Sequence, residues 1–391
     1  MCDDLKYNLF KNKKECGISV DFDSEFIKII DNTVYGIKYK ESIMLNFQSG
    51  FKRLGNKLNK EICFLNDGEC KGKIIRSHSV QNNRILNKLS KDNHVYIKSK
   101  EIKTNGSANS GIELEGRNQA SVFTGFCEKH DRDIFLPIEN CNYEKGNKEQ
   151  EFLFSYRALA KEYQLGLSLY ESWNLISSAI RDENKIFLLR YWNEDTINSG
   201  IIQDYIQISF EWIQEKYFYL ENWRQRFNSN FKNNRFDSIA TQNIIFSKEY
   251  GIAVSELLLL PNDLNGKIVY YRPGIERARK GSIRNVAPVF LTIFPQDGKT
   301  HILFSFFKKQ CNQLSYINNQ ILSQSEETQK VILSNLIGFH LDNFFISPEW
   351  WDNLNEFQRK SFYFLMGPER MLSPNTITNI IKNKELNLFT N

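Results

Sequence analysis

The sequence predicts an α+β protein: an N-terminal module built on cysteine and histidine, then a helical region, an antiparallel β-hairpin region and C-terminal helices. Three observations carry this. Cys63, Cys70 and Cys127, three of seven cysteines in the chain, fall close to His78 and His130. Phe152, Tyr156, Leu159 and Tyr163, and later Ile206, Phe210, Ile213, Tyr217, Leu220 and Trp223, recur at helical spacing. Apolar runs of strand length then flank Asp297-Gly298, a strong hairpin signal. The expected organisation is an N-terminal extension over 1–60, the cysteine module over 61–145, and an α+β region of unknown role over 146–391.

The totals fit a globular chain. Among 391 residues, 41% hydrophobic and 14% aromatic content suffices for packed cores, and only 8 prolines and 20 glycines argue against long flexible linkers. No apolar leader opens the chain, and no run approaches the length of a membrane helix. The expected location is cytoplasmic, with no membrane partner. Seven cysteines in a reducing compartment point to metal ligation before disulfides. The net charge of +5 is uneven: residues 38–103 hold fifteen Lys/Arg against six Asp/Glu. That excess is the footprint of a phosphate-backbone partner or a solvated basic face. Lys71, Lys73, Arg76 and Arg84 are its candidate nucleic-acid contacts. Arg277, Arg279 and Lys280, in the loop from Arg272 to Arg284, form a second basic group. A Walker loop, a dinucleotide fingerprint and a Gly-x-Ser-x-Gly elbow are all missing from the sequence.

In chain order, Thr33-Val-Tyr-Gly-Ile-Lys-Tyr alternates like a strand, and Phe47-Gln-Ser-Gly reads as a loop entering a short basic helix. Lys73-Ile-Ile-Arg is a strand ending at Ser77-His78. Val80, Ile85, Leu86 and Leu89 predict a short amphipathic helix, and Val95-Tyr-Ile-Lys a second strand. Asn105-Gly-Ser-Ala-Asn-Ser-Gly is loop chemistry. After Gly125, CEKHDRDIFLPIE predicts a helix closed by Pro137. The aromatic stripes of 149–232 predict core helices, joined by a loop from Trp192 to Gly200. Ile252 to Leu260, Lys267 to Tyr271, Val289 to Phe294 and His301 to Phe307 predict strands. Residues 313–391 return to helix, with Ser347-Pro348-Glu349 as a helix start.

Structural zinc takes four nitrogen or sulfur ligands, usually delivered in pairs. Cys127-x-x-His130 at a helix start is one pair. There the helix N-terminus favours thiolate charge. Cys63 and Cys70, with six residues between them, form the other if Asn66-Asp-Gly bulges out between them. The expected set is Cys63, Cys70, Cys127 and His130, with His78 or Cys141 as substitutes and His94 held in reserve. His301 and His340 sit alone on apolar segments and read as core or surface histidines.

This order of two cysteines, a strand ending in histidine and a helix-start Cys-x-x-His-Asp resembles the zinc-containing HNH endonuclease domain, a treble-clef or ββα-metal fold. The resemblance covers about residues 61–140. It implies that His78 is the general base, that Asp131 holds a catalytic Mg²⁺ or Mn²⁺, and that Asn118 is the mid-loop asparagine. It also implies a structural Zn²⁺, hydrolysis of nucleic-acid phosphodiesters with DNA preferred to RNA, and a role in defence against phage or mobile DNA. Ser77 departs from the pattern, because the family has Asp or His there. The competing expectation is therefore a zinc-stabilised binding protein that does not cut, with the C-terminal region serving a protein partner or a second copy of the chain.

Overall fold

The computed structural model describes residues 38–99, 111–260, 262–267, 269, 286–366, 380–381 and 384–390. The expectations for Thr33–Gly36, for the loop from Asn105, for most of Lys267–Tyr271 and for the basic loop from Arg272 to Arg284 lie outside these residues.

The major helices are α1 (Lys38–Lys57), α2 (Glu128–Glu139), α3 (Lys148–Arg181), α4 (Gly200–Lys232), α5 (Glu326–His340), α6 (Pro348–Asn353) and α7 (Glu356–Met366). The strands are β1 (Ile74–His78), β2 (His94–Lys98), β3 (Ile112–Gly116), β4 (Val122–Cys127), β5 (Ile239–Phe246), β6 (Ile252–Leu259), β7 (Pro288–Gln296), β8 (Lys299–Phe307) and β9 (Phe344–Ile346). Every pairing is antiparallel. β1 and β4 form a two-stranded sheet, and the other seven form one sheet in the order β3-β2-β9-β6-β7-β8-β5.

The large sheet is covered on both faces, so its central strands read as continuous apolar runs instead of alternating ones. Val289, Leu291 and Ile293 of β7 share a core with Ile302, Phe304 and Phe306 of β8 and with Leu333, Leu336 and Ile337 of α5. On the other face, Phe290 and Phe307 pack with Phe227 of α4. The β7–β8 turn is the one the Asp-Gly pair demands: Asp297 and Gly298 both have positive φ, 52° and 76°, which matches the twist of the flanking strands.

α3 starts at Asn147, whose Oδ1 accepts from the Gln150 amide at 3.1 Å. It runs alongside α4, with Tyr170 stacked on Tyr217 at 4.5 Å. Phe152, Tyr156, Leu159 and Tyr163 are buried, as the stripe requires. The same core holds Phe64, Phe126 and Phe135 from the cysteine module. That module therefore shares its apolar interior with α3, α4 and the large sheet. β2 and β3, both inside 61–145, pair into the large sheet through Tyr96 opposite Ile346.

Several local expectations need correction. Phe47-Gln-Ser-Gly is no loop but the middle of α1. Gly50 is there for space: a Cβ would lie 2.6 Å from both Trp192 Cδ1 and the Tyr191 carbonyl oxygen. The Trp192 indole N–H donates to the Phe47 carbonyl at 2.8 Å across that gap. Pro137 does not close α2, which runs on to Glu139. The 192–200 connection contains a helical turn, Glu194–Ile197, capped by Asn193. Val80 to Leu89 fold as a π-turn over Asn82–Leu86 and a helical turn over Asn87–Leu89. β3, β4, β5 and β9 went unpredicted.

Replacing Gly50 with alanine tests the packing argument. Alanine is better in a helix by about 1 kcal/mol, yet overpacking against Trp192 is expected to lower stability by a net ~1–2 kcal/mol in denaturant unfolding. An unchanged or raised stability would contradict it.

Candidate metal centre

The two ligand pairs meet because three segments are tied together by main-chain hydrogen bonds. The Ile62 and Phe64 amides donate to the Thr124 and Gly125 carbonyls of β4 at 3.2 and 2.8 Å, which lays Cys63 beside Cys127. The Glu128 amide at the start of α2 donates to the Lys73 carbonyl at 3.0 Å, which brings in the Cys70 turn. Gly72 makes that approach possible. Its φ is +74°, and a Cβ would meet the Glu128 side chain at 2.6 Å. Between the two cysteines the chain bulges at Asn66 (φ 41°) and Gly68 (φ 86°), as the long spacing required.

His130 Nδ1 lies 3.2 Å from Cys63 Sγ, 3.4 Å from Cys127 Sγ and 3.7 Å from Cys70 Sγ. All four ligand atoms fall within 4.8 Å of one another. Zinc–sulfur bonds of about 2.3 Å and zinc–nitrogen bonds of about 2.0 Å in a tetrahedron put sulfur and nitrogen roughly 3.6 Å apart, so the set fits a zinc-sized ion. Cys63, Cys127 and His130 are buried, and Cys70 is exposed.

The electrostatics agree with the geometry. Burial and the neighbouring Cys63 and Cys127 sulfurs push the Cys70 thiol up to about 12. Burial also acts to raise Cys127, but the main-chain N–H groups of His130 and Lys71 reach its sulfur and hold it below the usual thiol range. The Cys127 thiolate is thus favoured, while Cys70 resists ionisation until a cation joins it. His130 Nε2 lies 3.5 Å from Asp67 Oδ1. A proton on Nε2 facing that carboxylate leaves the Nδ1 lone pair for metal. Burial acts to raise Asp67, but the Glu69 amide, which donates to it at 3.0 Å, and His130 keep it below the usual carboxylate range. The knuckle is also clamped from α4: Arg224 Nε and Asn228 Nδ2 donate to the Phe64 carbonyl at 2.8 and 2.9 Å.

Of the residues that the HNH resemblance singled out for catalysis, none is among the four clustered ligands. His78 ends β1, opposite Val122 of β4. It is half-buried, and its Nδ1 is 2.8 Å from the Ser121 hydroxyl. Burial is the main influence holding its imidazole below the usual range. The Arg157 guanidinium and Arg76 act the same way, while Glu139 and Asp131 oppose them. Asp131 stands in the first turn of α2. Asn118 is exposed on the Arg117–Ala120 turn and accepts from Asn82 Nδ2 at 2.8 Å. Ser77 is 2% exposed and its hydroxyl is buried without a partner, so it faces the interior. Asp67 turns to His130, and Glu69 pairs with Lys129 at 3.4 Å. Among the described residues, the three cysteines and His130 are the one cluster of three or more metal-ligating groups.

Lys71, Lys73, Arg76 and Arg84 are all exposed. Arg76 donates to Gln119. Cys141 is exposed and away from the four ligands, and His94 is exposed with Nδ1 2.7 Å from the Asp92 carbonyl. His301 is buried against Phe294, and His340 ends α5 against Phe339. Sequence reasoning missed Arg157 and Ser121. Arg157 is 5% exposed, lies 4.1 Å from the Phe135 ring centroid and pairs with Glu139 at 2.5 Å. Its signal was a charge inside the apolar stripe of α3; Ser121 gave none.

No helix among the described residues is long and apolar enough to cross a membrane. Comparison with family models, with curated proteins and with solved structures found no match to this chain.

Protein prepared without chelator is expected to carry about one zinc per chain by elemental analysis. Asp67→Asn should keep the fold but weaken zinc affinity about 10–100-fold in competition with a chromophoric chelator. Less than about half an equivalent of zinc in the parent would contradict the assignment of a structural zinc site.

Proposed function

We propose that this chain is a zinc-stabilised hydrolase of nucleic-acid phosphodiesters, related in design to the HNH endonucleases, with His78 as general base. The observation that carries the reading is that Asp131, next to the His130 ligand on α2, exerts its charge on the imidazole of His78, which ends the strand paired with β4. The Ser121 hydroxyl on Nδ1 fixes the ring. With its proton affinity held low, His78 is neutral at neutral pH, the form a base requires.

In this reading His78 takes the proton from an attacking water, and Asp131 holds the divalent cation. Mg²⁺ commonly binds through one or two carboxylates, with phosphate oxygens and water completing its shell, so one aspartate suits it. When bound, that ion supplies Lewis-acid polarisation of the phosphoryl oxygen and charge for the leaving 3′-oxygen. Lys71, Lys73 and Arg76 on the exposed side of the Cys70 turn and β1 hold the backbone without reading sequence. DNA is the preferred substrate, and a role in defence against mobile DNA follows from the family likeness alone.

Ser77 favours a second reading. Its buried hydroxyl stands where the HNH pattern has a cation ligand. A chain that keeps the zinc fold but lacks that ligand is a zinc-stabilised nucleic-acid- or protein-binding protein.

The two readings separate in a cleavage assay on plasmid, single-stranded DNA and RNA with Mg²⁺ or Mn²⁺. The first expects cutting that His78→Ala lowers about 10²–10⁴-fold while zinc content stays unchanged. It also expects an acid limb in the rate below the ordinary imidazole value of about 6.5, because the folded-state proton affinity of His78 is depressed. A parent inert on all three substrates, or His78→Ala cutting as well as the parent, leaves the second reading standing.

A further inference from the structure

A cavity of about 300 Å³ opens between the π-turn that follows β1, the end of α2 and the tip of the β7–β8 hairpin. Its apolar side is aromatic. Phe154 and Phe294 stack with ring centres 5.3 Å apart, and Tyr143 meets them edge-on at 6.0 and 5.9 Å. His301 covers the other face of Phe294 at 5.4 Å, so Phe154, which is only half-buried, is the ring left to the cavity. The Tyr143 hydroxyl is already engaged, donating to Asn243 at 2.8 Å, with Glu151 at 3.2 Å.

The frame is fixed. The Gln296 amide exchanges two hydrogen bonds with the Tyr143 main chain at 2.8 and 3.1 Å, and Asn142 donates to Asp297 at 2.8 Å. Two cations stand at the rim. Lys88 is paired with Glu249. Arg84 is exposed and makes no ion pair or side-chain hydrogen bond among the described residues.

These surfaces ask for one kind of ligand: a flat ring with apolar faces joined to an anion that a guanidinium can grip by two hydrogen bonds. The volume lies at the lower end for small-molecule sites, which suits one nucleotide and no more. The position of the cavity, within the basic stretch that follows β1, favours a phosphate as the anion. We propose that this cavity binds a single nucleotide, with the base against Phe154 and the phosphate on Arg84. The site does not require His78 to act as a base, so it stands or falls separately from the hydrolytic reading.

The test is calorimetric titration of the full-length protein with AMP, GMP, CMP and UMP. The matching nucleosides, inorganic phosphate and benzoate are titrated in parallel. At least one nucleotide is expected to bind with Kd below about 1 mM, with its nucleoside about tenfold weaker or worse and phosphate alone undetected. Arg84→Ala should weaken the nucleotide about tenfold and leave the nucleoside unchanged. Phe154→Leu, which keeps an apolar side chain at that position, should weaken both. The proposal is overturned if no nucleotide binds in that range, if Arg84→Ala binds like the parent, or if benzoate or phosphate binds as tightly as the best nucleotide.

Discussion

Three cysteine sulfurs held within 4.8 Å of one another and of an imidazole nitrogen are the constraint on which this structure turns. Ionised together without a cation they repel, and protonated together they leave a buried polar knot that costs free energy. A metal ion bound there would convert the cluster from a cost into a staple across three segments distant in sequence: the Cys63–Cys70 bulge, the end of β4 and the start of α2. Because Phe64, next to Cys63, is fully buried against Tyr156 and Tyr163 of α3, the staple is also the boundary of the central core. Arg224 and Asn228 of α4 close it from the other side.

The consequences reach the candidate working site. His78 is placed by β1, which among the described residues pairs only with β4, and β4 ends at Cys127. Arg157 arrives from α3 and pairs with Glu139 at the far end of α2. The groups that set the proton affinity of His78 thus come from three elements held in register by the metal cluster and the core behind it. Ser77, one residue away, is buried just after the register shift that β1 makes between Ile75 and Ser77.

What was legible in the sequence followed local rules. Cys127-x-x-His130 is a short-range pattern, and a helix start places both side chains on one side. The β7–β8 hairpin was legible because Asp297-Gly298 specifies its own turn, and the aromatic stripes of α3 and α4 were legible by period. What failed was non-local or sterically hidden. Nothing near Gly50 announces that Trp192 needs its missing Cβ, so a glycine inside α1 looked like a loop. β9 is three residues long and forms because β6 and β2 flank it. β2 and β3 looked like parts of the cysteine module, yet pair with the sheet through a strand some 250 residues later in the chain. The role of Asp67 depended on how the bulge folds back, which ligand spacing does not reveal.

X-ray absorption at the zinc edge on the purified protein is the most direct test of the central claim. The account predicts three sulfur scatterers at about 2.3 Å and one nitrogen at about 2.0 Å. A first shell of oxygen and nitrogen alone, or a protein that folds fully with no metal bound, would contradict it.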